Sequence, residues 1–137
     1  MAVVEDSLID TSLWVDLIRW RSPQAVKEFV GSYILHPDAR LSEPVRFEVL
    51  RNAPQGERSF LARQMDKVPM LATPNDLWSR ATDLGQRCRS QGFSPGAVDL
   101  LIAAVALHHA AVIVTFDGGF SRIAEVSDLQ VEVLVRP

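Results

Sequence analysis

The sequence predicts an α/β sandwich around a small, mainly parallel sheet, and three observations carry that prediction. Short apolar runs alternate with segments of helical periodicity, the pattern of a layered α/β domain. The stretch from Leu100 to Phe116 has no charged side chain and changes character midway, from Ala- and Leu-rich up to about His109 to β-branched from Ala111 onward. Four carboxylates, Asp10, Glu48, Asp99 and Asp117, stand at or beside the ends of these segments.

Val3 to Ile9 reads as a first strand that delivers Asp10 to its C-terminal end. Thr11 and Ser12 follow as helix caps, and Leu13, Trp14, Leu17 and Ile18 recur at helical spacing. A second helix opens at Ser22-Pro23, turns Ala25, Val26, Phe29 and Val30 inward, and ends near Gly31-Ser32. Arg40-Leu41 reads as a short strand. Ser42-Glu43-Pro44 starts a helix with Val45, Val49 and Leu50 as its apolar stripe and Glu48 about one turn in. Pro54 opens a charged amphipathic helix carrying Phe60, Leu61 and Met65, and Pro69 to Ala72 reads as a further short strand. Asn75 caps a helix with Leu77, Trp78, Ala81 and Leu84 on its apolar face, stopping by Gly92.

The uncharged run then supplies a helix apolar on every face, as one buried on all sides must be, and a buried strand. A βαβ-type layout turns these two antiparallel, so Asp99 at the helix start and Asp117 after the strand lie at one end of the layer. The run's seventeen residues, with His108 and His109 in its middle, fall short of the roughly 20 apolar residues a bilayer span needs. Gly118 to Val126 reads as a turn and short helix, and Val131, Val133 and Val135 alternate as a final or edge strand.

A chain of 137 residues with 47% hydrophobic content suits one folded domain over residues 1–137. The formal charge of −3 excludes a globally basic polyanion binder, so a nucleic-acid function requires a local patch. Twelve of the fourteen basic residues are Arg, which suits planar recognition of phosphate or carboxylate; GC-rich codon usage explains the bias equally well. The single cysteine, Cys88, excludes an intrachain disulfide and fits a reducing compartment. The opening MAVVEDSLID is wrong for a secretory signal, which points to the cytoplasm.

Each acid alone has an ordinary reading: Asp10 as a helix cap, Asp99 as a partner of the helix dipole, Asp117-Gly118 as a turn, Glu48 as a solvated helix face. Jointly, carboxylates clustered at one sheet edge repel unless a cation joins them. Oxygen-only ligation suits Mg²⁺ or Mn²⁺ better than zinc. A haloacid-dehalogenase-type phosphatase needs a second Asp two residues after the first, where Ser12 stands.

LIDTSLWVDLI, PVRFEVLR and VDLLIAAVALHHAAVIVTFD, in that order, resemble the PIN-domain ribonucleases, specifically the VapC-type toxins of bacterial toxin–antitoxin pairs. The resemblance implies a PIN-like α/β/α sandwich and metal-dependent hydrolysis of RNA phosphodiester bonds. It places the metal-site acids on Asp10, Glu48, Asp99 and Asp117, with Mg²⁺ the expected ion and Mn²⁺ an alternative. Thr115 matches a polar position facing the family's site, and Thr11 is a second polar candidate. Where the family commonly reads T-x-D-x-D-F, this chain has Thr115-Phe116-Asp117-Gly118-Gly119-Phe120. Gly119 thus removes a carboxylate, so one well-held ion is expected and a second stays open. The resemblance also implies a homodimer and a cognate antitoxin.

Glu43 is the rival of Glu48, but its place before Pro44 suits a cap. Asp6 and Asp16 read as solvated, His108 and His109 as partners of the helix's last carbonyls, and Cys88 as inert. Arg46, Arg51 and Arg122, nearest in sequence to the acids, are the candidate RNA contacts, with solvated surface the alternative. Trp14, Trp20 and Trp78 suit core or interface more than base stacking, and the Trp14–Trp20 region is expected to contribute to an antitoxin surface. A non-catalytic PIN-like module that binds RNA or protein is the competing function; the four acids speak against it, Gly119 for it.

Overall fold

The computed structural model describes residues 5–137. Four strands, β1 (Ser7–Ile9), β2 (Ala39–Arg40), β3 (Val112–Thr115) and β4 (Gln130–Val133), form one sheet. Seven helices connect them: α1 (Thr11–Ile18), α2 (Gln24–Ile34), α3 (Glu43–Asn52), α4 (Arg58–Met65), α5 (Leu77–Ser90), α6 (Ala97–His109) and α7 (Gly119–Glu125). The sheet order is β2-β1-β3-β4 and every pairing is parallel. The chain leaves β1 toward β2 on one side and β3 toward β4 on the other. Connections therefore diverge between β1 and β3, the point at which open α/β sheets leave a crevice beyond the strand ends.

Register brings the sequence signals together there. Ile9 pairs with Val114, and the Asp10 amide donates to the Val114 carbonyl at 3.0 Å, so Asp10 stands beside the end of β3. The core beneath is built from Leu8, Ile9, Ile113 and Val114 of the two central strands. Against them lies the middle of α6, where Ile102 to Ala106 are all buried. Small residues at 103, 104 and 106 let neighbouring elements approach a helix covered on every side.

Several expectations change on contact with the fold. The part of the first strand at Val3 and Val4 lies outside the described residues; within them it begins at Ser7. α2 runs through Gly31 and Ser32 to Ile34, because the buried face of Val26, Val30 and Ile34 outweighs one glycine, while Ala25 is exposed. α4 starts at Arg58, a turn after Pro54, and its Phe60 is 55% exposed. Pro69 to Ala72 makes only a parallel bridge, Leu41 to Met70, with no full strand. α5 is capped at Asp76, not Asn75, and Trp78 stands out at 73% exposure. α6 ends by turning Ala110 into the left-handed region, φ 52°, with the Ala111 amide closing on the Ala106 carbonyl.

Candidate active site

Asp10 follows β1 and caps α1, two roles that a strand–carboxylate–helix sequence imposes at once. It is 4% exposed. A buried carboxylate requires donors, and its Oδ2 has them: Thr115 Oγ1 donates at 2.7 Å, Ser12 Oγ at 3.0 Å, and the Ser12 amide at a longer 3.4 Å. The same two hydroxyls accept from the turn after β3, Ser12 Oγ from the Phe116 amide at 3.1 Å and Thr115 Oγ1 from the Asp117 amide at 2.9 Å. Two hydroxyls thus tie the end of β1 to the end of β3. The Thr11 backbone adds a further hydrogen bond to this carboxylate. Burial raises the Asp10 pKa, and the Thr115 and Ser12 hydrogen bonds oppose that rise.

Asp117 is exposed, and its Oδ1 accepts from the Gly119 amide at 2.8 Å. A Cβ on residue 119 would sit 3.1 Å from that oxygen, so glycine leaves Asp117 this close turn. Asp99 lies in the first turn of α6 and Glu48 midway along α3, both half-buried. Asp99 reports the meeting of all four: its pKa is pushed up to about 6, first by burial, then by the charges of Asp10, Asp117 and Glu48. Acids separated by up to 107 positions of sequence, from Asp10 to Asp117, therefore share one electrostatic neighbourhood. Among the described residues, no group of three or more His, Cys, Asp or Glu side chains stands close enough together to hold a metal ion.

The donor set suits a hard divalent cation, since all four groups are carboxylates and Asp99 is unsettled by the other three. Glu43 is not among the charges acting on Asp99; it is exposed and lines a groove with Phe47 and Trp78. Thr11 Oγ1 is buried without a hydrogen-bond partner among the described residues and takes no part in the Asp10 network.

The remaining candidates divide. Arg46 is committed to Asp66 at 2.8 Å, Arg51 lies over the Phe47 ring at 5.5 Å, and Arg122 over the Phe93 ring at 4.3 Å. His109 Nε2 lies 2.7 Å from the carbonyl of Ala72, so it reaches across to the 69–72 segment instead of its own helix end. Cys88 is buried, and its pKa is raised mainly by that burial. Asp6 and Asp16 are not simply solvated: Asp6 pairs with Arg40 at 3.2 Å, and Asp16, 6% exposed, pairs with Arg136 Nε at 2.6 Å. Trp14 is buried in the core while Trp20 is 81% exposed. Ser12 is the site residue that sequence reasoning took only for a cap; its position two residues after a strand-end acid was the available signal.

A model of the PIN domain matches residues 7–126. Ribonuclease VapC11 of Mycobacterium tuberculosis is 33% identical over 128 residues, covering 90% of this chain and 95% of that protein. The crystal structure of VapC20 of M. tuberculosis, described as a toxin cleaving the sarcin–ricin loop, superposes with a TM-score of 0.68 at 22% identity, covering 96% of this chain and all of that one. VapBC2 of Rickettsia felis, solved bound to a DNA fragment from its promoter, gives a TM-score of 0.69 at 18% identity, covering 93% and 97%. No helix among the described residues is long and apolar enough to cross a membrane.

Proposed function

From the premise that the chain belongs to the PIN-domain family, among its VapC ribonucleases, we propose that Asp10, Glu48, Asp99 and Asp117 hold a divalent cation, Mg²⁺ or Mn²⁺, for endonucleolytic hydrolysis of RNA. The observation that carries this reading is the pair of hydroxyls, Thr115 and Ser12, that bind Asp10 and hold the turn bearing Asp117 beside it, with Asp99 raised by burial and by the charges of Asp10, Asp117 and Glu48. A bound cation would relieve such crowding at neutral pH without removing a charge. The chemistry a bound ion supplies is neutralisation of charge developing on the scissile phosphate and acidification of the attacking water.

The chain's own residues prepare that chemistry. Thr115 and Ser12 occupy Asp10 Oδ2 and fix its carboxylate plane, so that Oδ1 would be the oxygen offered to a cation. The Gly119 amide fixes Asp117 in the same way through Oδ1. The Asp117 and Phe116 amides, held by the two hydroxyls, keep the turn carrying Asp117 in register with Asp10. Burial of Asp10 and half-burial of Asp99 lower the local dielectric, so their charges act strongly at short range. With Gly119 in place of a further carboxylate, the site holds one ion well.

The biological setting we infer is that of a toxin acting in the cytoplasm and silenced by a cognate VapB-like antitoxin. Two adjoining apolar grooves support the partner. One is lined by Trp14, Leu17, Ile18, Phe60 and Leu61, the other by Trp14, Leu17, Ile34 and Leu35, with exposed Trp20 near the end of α1. Exposed Phe47 and Trp78, flanking a separate groove with Leu101, suit self-association into a homodimer. The test of the catalytic reading is cleavage of end-labelled RNA by wild type and Asp10→Ala in Mn²⁺ and in EDTA. Cutting by wild type in Mn²⁺ alone is expected; equal cutting by both proteins, or cutting in EDTA, overturns it.

A further inference from the structure

We propose that Arg136, held by the buried carboxylate of Asp16 and stacked on Phe116, the residue before Asp117, grips a phosphate of the RNA substrate. The inference rests on the ribonuclease reading and deepens it by naming a substrate contact. β4 runs parallel to β3, and pairing continues past its end, where the Leu134 amide donates to the Thr115 carbonyl at 2.8 Å. The chain beyond β4 therefore passes over the end of the sheet that carries Asp10, Thr115 and Asp117.

Arg136 lies in that passage. Its Nε meets Asp16 Oδ2 at 2.6 Å, and its guanidinium carbon stands 4.2 Å from the centre of the Phe116 ring. Phe116 itself packs 6.3 Å from Phe29 of α2 and is flanked in sequence by two site residues. Burying the Asp16 carboxylate is costly without a partner, and Arg136 is the cation that meets it. The Arg136 side chain is nevertheless 52% exposed, and no hydrogen bond among the described residues engages its two terminal nitrogens. A guanidinium fixed through Nε and one face, with its terminal donors toward solvent, has surrendered its side-chain entropy before any ligand arrives. That is the geometry for bidentate phosphate recognition.

A second consideration comes from charge. Four carboxylates repel a polyanion, so the rim must supply cations that stay in place. The Arg46 side chain is 24% exposed where it meets Asp66, against 52% for Arg136, and among the described residues no carboxylate fixes Arg51 or Arg122, which rest on aromatic rings.

The experiment measures binding of a fluorescent single-stranded RNA oligonucleotide to Asp99→Asn protein, with and without Arg136→Met, across a series of salt concentrations in Mg²⁺ buffer. Wild-type cleavage of the same RNA is followed in parallel. Loss of one phosphate contact is expected to weaken binding about tenfold and to lower the slope of log affinity against log salt by about 0.7. Arg136→Lys is expected to restore the slope while recovering only part of the affinity. Urea melts at each salt concentration give the folded fraction of each variant, and affinities are compared per folded molecule. An unchanged slope in Arg136→Met, with wild-type protein cleaving the RNA, overturns the assignment of Arg136 and leaves the nuclease reading standing. Wild-type protein that does not cleave, together with Asp99→Asn protein that does not bind, overturns both.

Discussion

The start and the middle of α6 follow opposite rules. From Ile102 to Ala106 the helix is buried and uncharged, and each of those side chains stabilises the fold by leaving water. About one turn earlier, roughly 5 Å along the axis, Asp99 is half-buried among three like charges and its pKa is displaced to about 6. β3 repeats the contrast within four residues: Ile113 and Val114 are core, whereas Thr115 ends the strand with its hydroxyl turned to Asp10. Stability and chemistry thus occupy adjacent stretches of the same elements. Substitutions on the two sides should separate activity from stability in opposite directions.

The largest effect is expected at Asp99. Asp99→Asn should lower cleavage by about 10³-fold or more, the scale for losing a group that organises transition-state charge. The same variant should melt higher than wild type in EDTA at pH 7.5, because it removes the charge that its neighbours oppose. A lower melting temperature would break the contrast. Ile113→Ala should do the reverse. It empties a fully buried position in a central strand, costing about 2–5 kcal/mol in chemical denaturation, while activity per folded molecule is retained.

Thr115→Val lies on the boundary and should lose on both counts. Asp10 loses its shortest donor and the Asp117 amide its acceptor. Stability should fall by about 1–3 kcal/mol and cleavage by about 10- to 100-fold, read from urea melts and initial rates.

A smaller effect is the pH dependence of the metal-free protein. Asp99 holds its proton to about pH 6 when folded against an ordinary 3.8, and Asp10 is raised as well. Between those values the folded state binds more protons than the unfolded one, so stability falls as pH rises through the window. Melting temperature in EDTA should therefore decline from pH 4 toward 6 more steeply in wild type than in Asp99→Asn. The smallest effect is expected far from both regions: Trp20→Ser, at an 81% exposed position, should change stability by no more than about 0.5 kcal/mol yet weaken capture by the cognate antitoxin in a pull-down.

How much of this was legible in the sequence follows from what kind of signal each feature left. The buried helix and strand from Leu100 to Phe116 announced themselves, because a run without charge has few places to go in a chain of 137 residues. Asp10 and Asp117 were legible as strand-end acids, since register does the rest. Glu48 was harder: its separation from Glu43 depends on which face of α3 meets α6, which spacing alone does not settle. The exposure of Phe60 and Trp78 was missed because helical periodicity marks an apolar face without saying what covers it. Asp16 with Arg136 was invisible, as 120 residues part them and neither lies in a recognisable pattern. Ala110 at φ 52° was also hidden, where a glycine would have flagged the turn.

The central claim, that four distant carboxylates form one cation site, is tested most directly by Mn²⁺ binding to purified protein, measured by calorimetry for wild type and for the Asp10→Asn, Glu48→Gln, Asp99→Asn and Asp117→Asn variants. The account predicts one well-held ion in wild type and weakened binding in each of the four. Undiminished Mn²⁺ affinity in the variants, with their fold intact, would contradict it.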